Sequence, residues 1–123
     1  MPLNPTENYL HDRKHVTLMN FAEDVTTTSR YLKGSGGYAG DGYSMPAPGK
    51  VLRLYVYDGT GVRTSAVEST FAAGDRISVI AEYDQPWFDV SVRINGNNSS
   101  TFCDQVQANS TLRVSVLVRL DVY

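Results

Sequence analysis

From residue 112 to residue 122 the side chains alternate without interruption. Leu112, Val114, Val116, Val118, Leu120 and Val122 fall on one face, and Arg113, Ser115, Leu117, Arg119 and Asp121 fall on the other. A period of two carried by β-branched and other apolar residues is that of a half-buried strand, since a helix would scatter those residues around its axis. Shorter segments repeat the pattern. Leu52, Leu54 and Val56 alternate with Arg53, Tyr55 and Tyr57; Ile77, Val79 and Ala81 form a second set; Phe88, Val90, Val92 and Ile94 form a third. Turn dipeptides separate them: Asp58-Gly59, Gly74-Asp75 and Asn95-Gly96, the last followed by Asn97-Asn98-Ser99-Ser100, which suggests a loop longer than two residues. Weaker strands are expected over 25–32, which is rich in threonine, over 62–69 and over 101–106. Short strands at regular spacing, each with one apolar face, define an all-β chain folded as a sandwich or barrel.

At 123 residues the chain forms a single domain, large enough to bury roughly two-thirds of its unfolded surface. Residues 1–24 read differently from the rest. Pro2 and Pro5 favour extended backbone, and Asn8, His11, Asp12, Arg13 and Lys14 make the segment polar. This organisation predicts an N-terminal arm over 1–24 and a β-sandwich domain over 25–123. Residues 34–42 hold several glycines and are expected to form an irregular loop.

Net charge is −2, and most of the positive charge is arginine spread thinly along the chain. A non-specific nucleic-acid binder concentrates its basic residues, so nucleic acid is not an expected partner. No apolar run reaches membrane-spanning length and the start lacks a basic-then-apolar signal design, so neither a membrane nor export is expected. Cys103 is the only cysteine, which leaves no intrachain disulfide and reads as a small half-buried residue. Asn97-Asn98-Ser99, Asn98-Ser99-Ser100 and Asn109-Ser110-Thr111 fit the glycosylation pattern but read as loops when no signal peptide precedes them.

Catalytic arrangements find little support. His11 and His15 lie four apart without the glutamate and third ligand of a zinc signature, so no metal is expected. The glycines of 34–42 are not followed by the Gly-Lys-Ser/Thr of a phosphate loop, and no histidine follows His15 to serve a serine nucleophile. Glu23, Asp24, Glu68, Asp75, Glu82, Asp84 and Asp89 are the acids from which a glycosidase pair would come; they read as turn and outer-face residues. The expectation is a non-enzymatic protein without a cofactor. Aromatic and arginine side chains mark protein contacts. Tyr55 and Tyr57, with Arg113, Leu117 and Arg119 on the outer face of the last strand, are therefore the candidate subunit interface. Trp87 and Tyr83 are the alternative, as the walls of a glycan-binding groove.

The run Gly42-Tyr43-Ser44-Met45-Pro46, followed by Pro48-Gly49-Lys50-Val51, resembles small jelly-roll proteins of tailed bacteriophages. Phe71-Ala72-Ala73-Gly74-Asp75-Arg76-Ile77 and Val92-Arg93-Ile94-Asn95-Gly96 fit the same layout, and the likeness spans about 30–122. That family includes capsid decoration (cement) proteins, head fibres and tail-fibre modules, often trimeric. The resemblance implies a jelly-roll sandwich in a virion structural protein made in the host cytoplasm, with the major capsid protein and further copies of itself as partners. In that picture Pro2, Leu3, Asn4, Pro5, Tyr9 and Leu10 of the arm meet the capsid. Deleting residues 1–20 would then leave the domain folded but weaken its attachment to the capsid. A receptor- or carbohydrate-binding module of a tail fibre is the alternative.

Overall fold

A computed structural model of the protein describes residues 15–34, 42–95 and 97–121, and within these the side chains of 15, 67 and 97–105 are left aside. The described residues form strands and turns only. Ten strands follow one another: β1 (His15–Val25), β2 (Arg30–Tyr31), β3 (Lys33–Gly34), β4 (Tyr43–Ser44), β5 (Gly49–Tyr57), β6 (Val62–Phe71), β7 (Arg76–Asp84), β8 (Trp87–Ile94), β9 (Asn97–Gln107) and β10 (Ser110–Leu120). They make two antiparallel sheets. The first has the order β3-β1-β10-β5-β6; the second runs β2-β7-β8-β9, with β4 also paired to β7. The chain is an all-β sandwich.

The alternation of the last strand does what its pattern demands. β10 lies at the centre of the first sheet, and Leu112, Val114, Val116, Val118 and Leu120 are all buried. Opposite them the second sheet contributes Ile77, Val79, Ala81, Phe88, Val90 and Val92 to the same core. Each such side chain, fully buried, is worth roughly 1.5–3 kcal/mol relative to exposure.

One segment ties the sheets together. Residues 30–34 pass from the second sheet (β2) to the first (β3), with Leu32 wholly buried between them and its N–H donated to the Val79 carbonyl at 2.9 Å. At the other side of the sandwich β6 packs against β9.

Several expectations change. The arm does not extend to residue 24: residues 15–25 pair along their whole length with β10, and Met19, Phe21 and Val25 enter the core. Pro2, Leu3, Asn4, Pro5, Tyr9 and Leu10 lie outside the described residues. The strand expected over 25–32 is a turn over 26–29 flanked by the end of β1 and by β2. In β5 a bulge at Leu52 puts Val51, rather than Leu52, beside Leu54 and Val56 in the core. The β8–β9 hairpin is tighter than expected: Ile94 pairs with Asn97, and Asn95 takes the left-handed φ of 55° that a two-residue turn requires.

These pairings reverse the truncation expectation. Deleting residues 1–20 removes Met19 and half of β1, and strips one neighbour from β10. The truncated protein is expected to lose cooperative thermal unfolding, as read by circular dichroism; a sharp melt at the wild-type temperature would refute the role assigned to β1.

Candidate functional site

Directly opposed residues of antiparallel strands share a face, so the register reads off the outer surface of the first sheet. One row across it is Leu18, Leu117, Arg53 and Ala66; the next is Asn20, Ser115, Tyr55 and Thr64; a third is Ala22, Arg113, Tyr57 and Val62. Val16, Arg119 and Lys50 form a further row toward one end, and Lys33 stands opposite Ala22 on β3. The face is apolar to an unusual degree for one that meets solvent. Val16 is 52% exposed, Leu18 51%, Tyr57 41% and Val62 66%. These are four of the six large exposed hydrophobics among the described residues, the others being Tyr43 and Trp87.

The charge on this face is predominantly basic, with Asp24, opposite Thr111, as an acid at one end. Arg119 is paired with Asp121 through Nε at 3.2 Å, whereas Lys33, Lys50, Arg53 and Arg113 have no ion-pair partner among the described residues. Arg113 stands between two shallow depressions. One, of about 420 Å³, is lined by Asn20, Ala22, Lys33, Arg113 and Ser115 among others. The second, of about 370 Å³, is lined by Tyr55, Tyr57, Val62, Arg113 and Ser115. Between them Ser115 donates its hydroxyl to Asn20 Oδ1 at 2.8 Å. The structure thus brings together all five residues read as a subunit interface: Tyr55, Tyr57, Arg113, Leu117 and Arg119. It adds Val16, Leu18, Val62, Lys33, Lys50 and Arg53. The signal for Val16 and Leu18 was present in the sequence as an apolar period of two, obscured because Met19 and Phe21 make the opposite face apolar as well.

The glycan-groove pair is separated. Tyr83 is opposite Phe88 and turns inward, its ring 5.1 Å from that of Phe88, while Trp87 is opposite Asp84 and points outward. Tyr55 and Tyr57 are on the other sheet. The side chains of Cys103 and His15 are outside the description, as is the whole of His11.

Around Trp87 the outer face of the second sheet is acidic. Glu82 lies directly opposite Asp89, and Asp84 opposite Trp87. Glu82 accepts from Arg93 Nη2 at 3.3 Å, and that guanidinium also donates to the Tyr31 hydroxyl at 2.7 Å while lying over its ring. Burial raises the Asp89 carboxyl above its usual range, and the like charges of Asp84 and Glu82 add to the rise. Asp89 is therefore a source of strain above its folded pKa, relieved when acid protonates it. No group of three or more potential ligands suited to a metal occurs among the described residues.

The buried acid of the fold is elsewhere. Asp58 closes the β5–β6 turn with its side chain fully inside. It accepts from the Thr60 hydroxyl at 2.6 Å, the Thr60 N–H at 3.1 Å, Arg63 Nη1 at 2.9 Å and the Gln107 N–H at 3.0 Å. Burial pushes its pKa up, but the hydrogen bonds from Thr60, Gln107 and Arg63 outweigh that and hold it far below the carboxylate range. This carboxylate is a fastener between the β5–β6 turn and the end of β9. Neither a family model nor a curated protein nor a solved structure matches the chain.

Proposed function

We propose that the protein is a non-enzymatic virion structural protein, a capsid decoration protein that assembles with copies of itself through the outer face of β1, β10, β5 and β6. The observation that carries the reading is that face: exposed aliphatic and tyrosine side chains among Lys33, Lys50, Arg53 and Arg113, which have no ion-pair partner among the described residues. Such a surface costs free energy in water and gains it in contact, since aromatic and arginine side chains supply most of the energy at protein interfaces. A rigid sheet also presents them without a large ordering cost on binding. The resemblance to phage jelly-roll proteins supplies the setting: jelly-roll wiring, a trimer as the unit of assembly, the exterior of the head as the place and the major capsid protein as the partner. Occupied sites then stabilise the shell by mass action.

The setting is tested by dissociating particles of a phage whose genome encodes the protein into heads and tails and probing each fraction. The protein is expected with the heads. Recovery with purified tails would move it to a fibre, and recovery with neither would remove it from the particle.

A further inference from the structure

A contact between copies needs a second surface, and electrostatics restricts what it is. A two-fold arrangement that packs the first sheet's outer face on itself brings two predominantly basic surfaces together, each carrying Lys50, Arg53 and Arg113. Like charges brought together across an interface weaken it and disfavour the pairing. The surface complementary to this face is acidic and carries some apolar area.

The opposite side of the same molecule has that character. On the outer face of β7 and β8, Glu82, Asp84 and Asp89 surround Trp87, which is 39% exposed. Arg93 partners Glu82 alone among these acids. Glu82 and Asp89 stand directly opposite each other across β7 and β8, a like-charge pairing that destabilises a sheet, and burial together with the charges of Asp84 and Glu82 raises the Asp89 carboxyl above its usual range. An incoming arginine would find carboxylates beside an indole face, the arrangement that favours a guanidinium.

Resting on the self-assembly reading above, we infer that the basic, apolar face of β1, β10 and β5 in one copy receives the Trp87–Asp84–Asp89 patch of a second copy. The contact is heterologous: two different surfaces of the same chain meet, so every copy carries one of each. Such a contact closes into a ring or continues as a fibre according to the rotation between copies.

Charge exchange tests this on the full chain. The basic-face variant is Arg53→Glu with Arg113→Glu; the acidic-patch variant is Asp84→Lys with Asp89→Lys. Sedimentation equilibrium is expected to show association by the wild type and a dissociation constant raised at least about tenfold for either variant alone. An equimolar mixture of the two is expected to regain association, since the basic patch of one variant meets the acidic face of the other. Circular dichroism melts establish that both variants fold. Undiminished association of the acidic-patch variant, or a mixture that stays dissociated, would overturn the inference and leave self-assembly standing. A wild type that remains monomeric at every concentration would overturn self-assembly itself, and the inference with it.

Discussion

Asp58→Ala is expected to destabilise the protein by about 3 kcal/mol, enough to lower the melting temperature by roughly 10 °C. The size follows from what is left behind. The carboxylate accepts four hydrogen bonds from Thr60, Arg63 and Gln107, and its removal leaves the N–H groups of Thr60 and Gln107 without that acceptor. The Arg63 pair is a smaller part of the loss, because the arginine side chain is 34% exposed and screened by water. Asp58→Asn keeps the volume and one acceptor, so its cost is expected to be smaller. The pH dependence has a definite sign. The folded pKa is depressed, so the stabilisation is complete above about pH 4 and is lost as pH falls through the folded value. Denaturant titrations are expected to show a constant gap between wild type and Asp58→Asn at neutral and mildly acidic pH, narrowing in strong acid. A gap that widens toward low pH would contradict the assignment.

The second large effect is expected at a residue with no side chain. Gly49 begins β5, pairs with Leu120 on one side and Phe71 on the other, and is buried. A Cβ there would run into the carbonyl oxygen of Arg119 and meet the Phe71 ring at 3.0 Å. The obstacle is backbone, which cannot rotate away as a side-chain tip can. Gly49→Ala must therefore push β5 from β10 at the centre of the sheet, at an expected cost of about 3 kcal/mol. The Asp121 N–H, which donates to the Pro48 carbonyl at 2.8 Å, is in the strained region and is expected to lose hydrogen-exchange protection. A variant with wild-type melting temperature and exchange would show that the strands separate here without penalty.

How far the sequence foretold this structure depends on whether its two faces differ in polarity. β10, β7 and β8 could be read because apolar residues on one face alternate with mostly polar ones on the other, Leu117 and Ile80 being the exceptions. β1 escaped recognition because Val16 and Leu18 on its outer face are as apolar as Met19 and Phe21 on its inner face. The missing alternation that hid the strand is the same property that leaves Val16 and Leu18 exposed on the face proposed to meet another copy. In β5 the run Val51-Leu52-Arg53-Leu54 offers two apolar residues in succession, and the bulge that resolves the choice depends on β10 and β6. Asp58 looked like an ordinary turn residue, since its partner Gln107 is 49 residues away. The basic character of the first sheet was invisible for a similar reason: Lys33, Lys50, Arg53 and Arg113 are dispersed in sequence and gathered only by strand order.

The central claim is that the outward face of the five-stranded sheet is where another copy docks. Its most direct test is sedimentation velocity of the wild type beside a Leu18→Asp, Val62→Asp variant. Both positions are at least half exposed, so the substitutions add charge to the surface while leaving the core intact. The account predicts an assembly for the wild type and, for the variant, a monomer that still unfolds cooperatively. Equal sedimentation of the two proteins, as assemblies or as monomers, would contradict it.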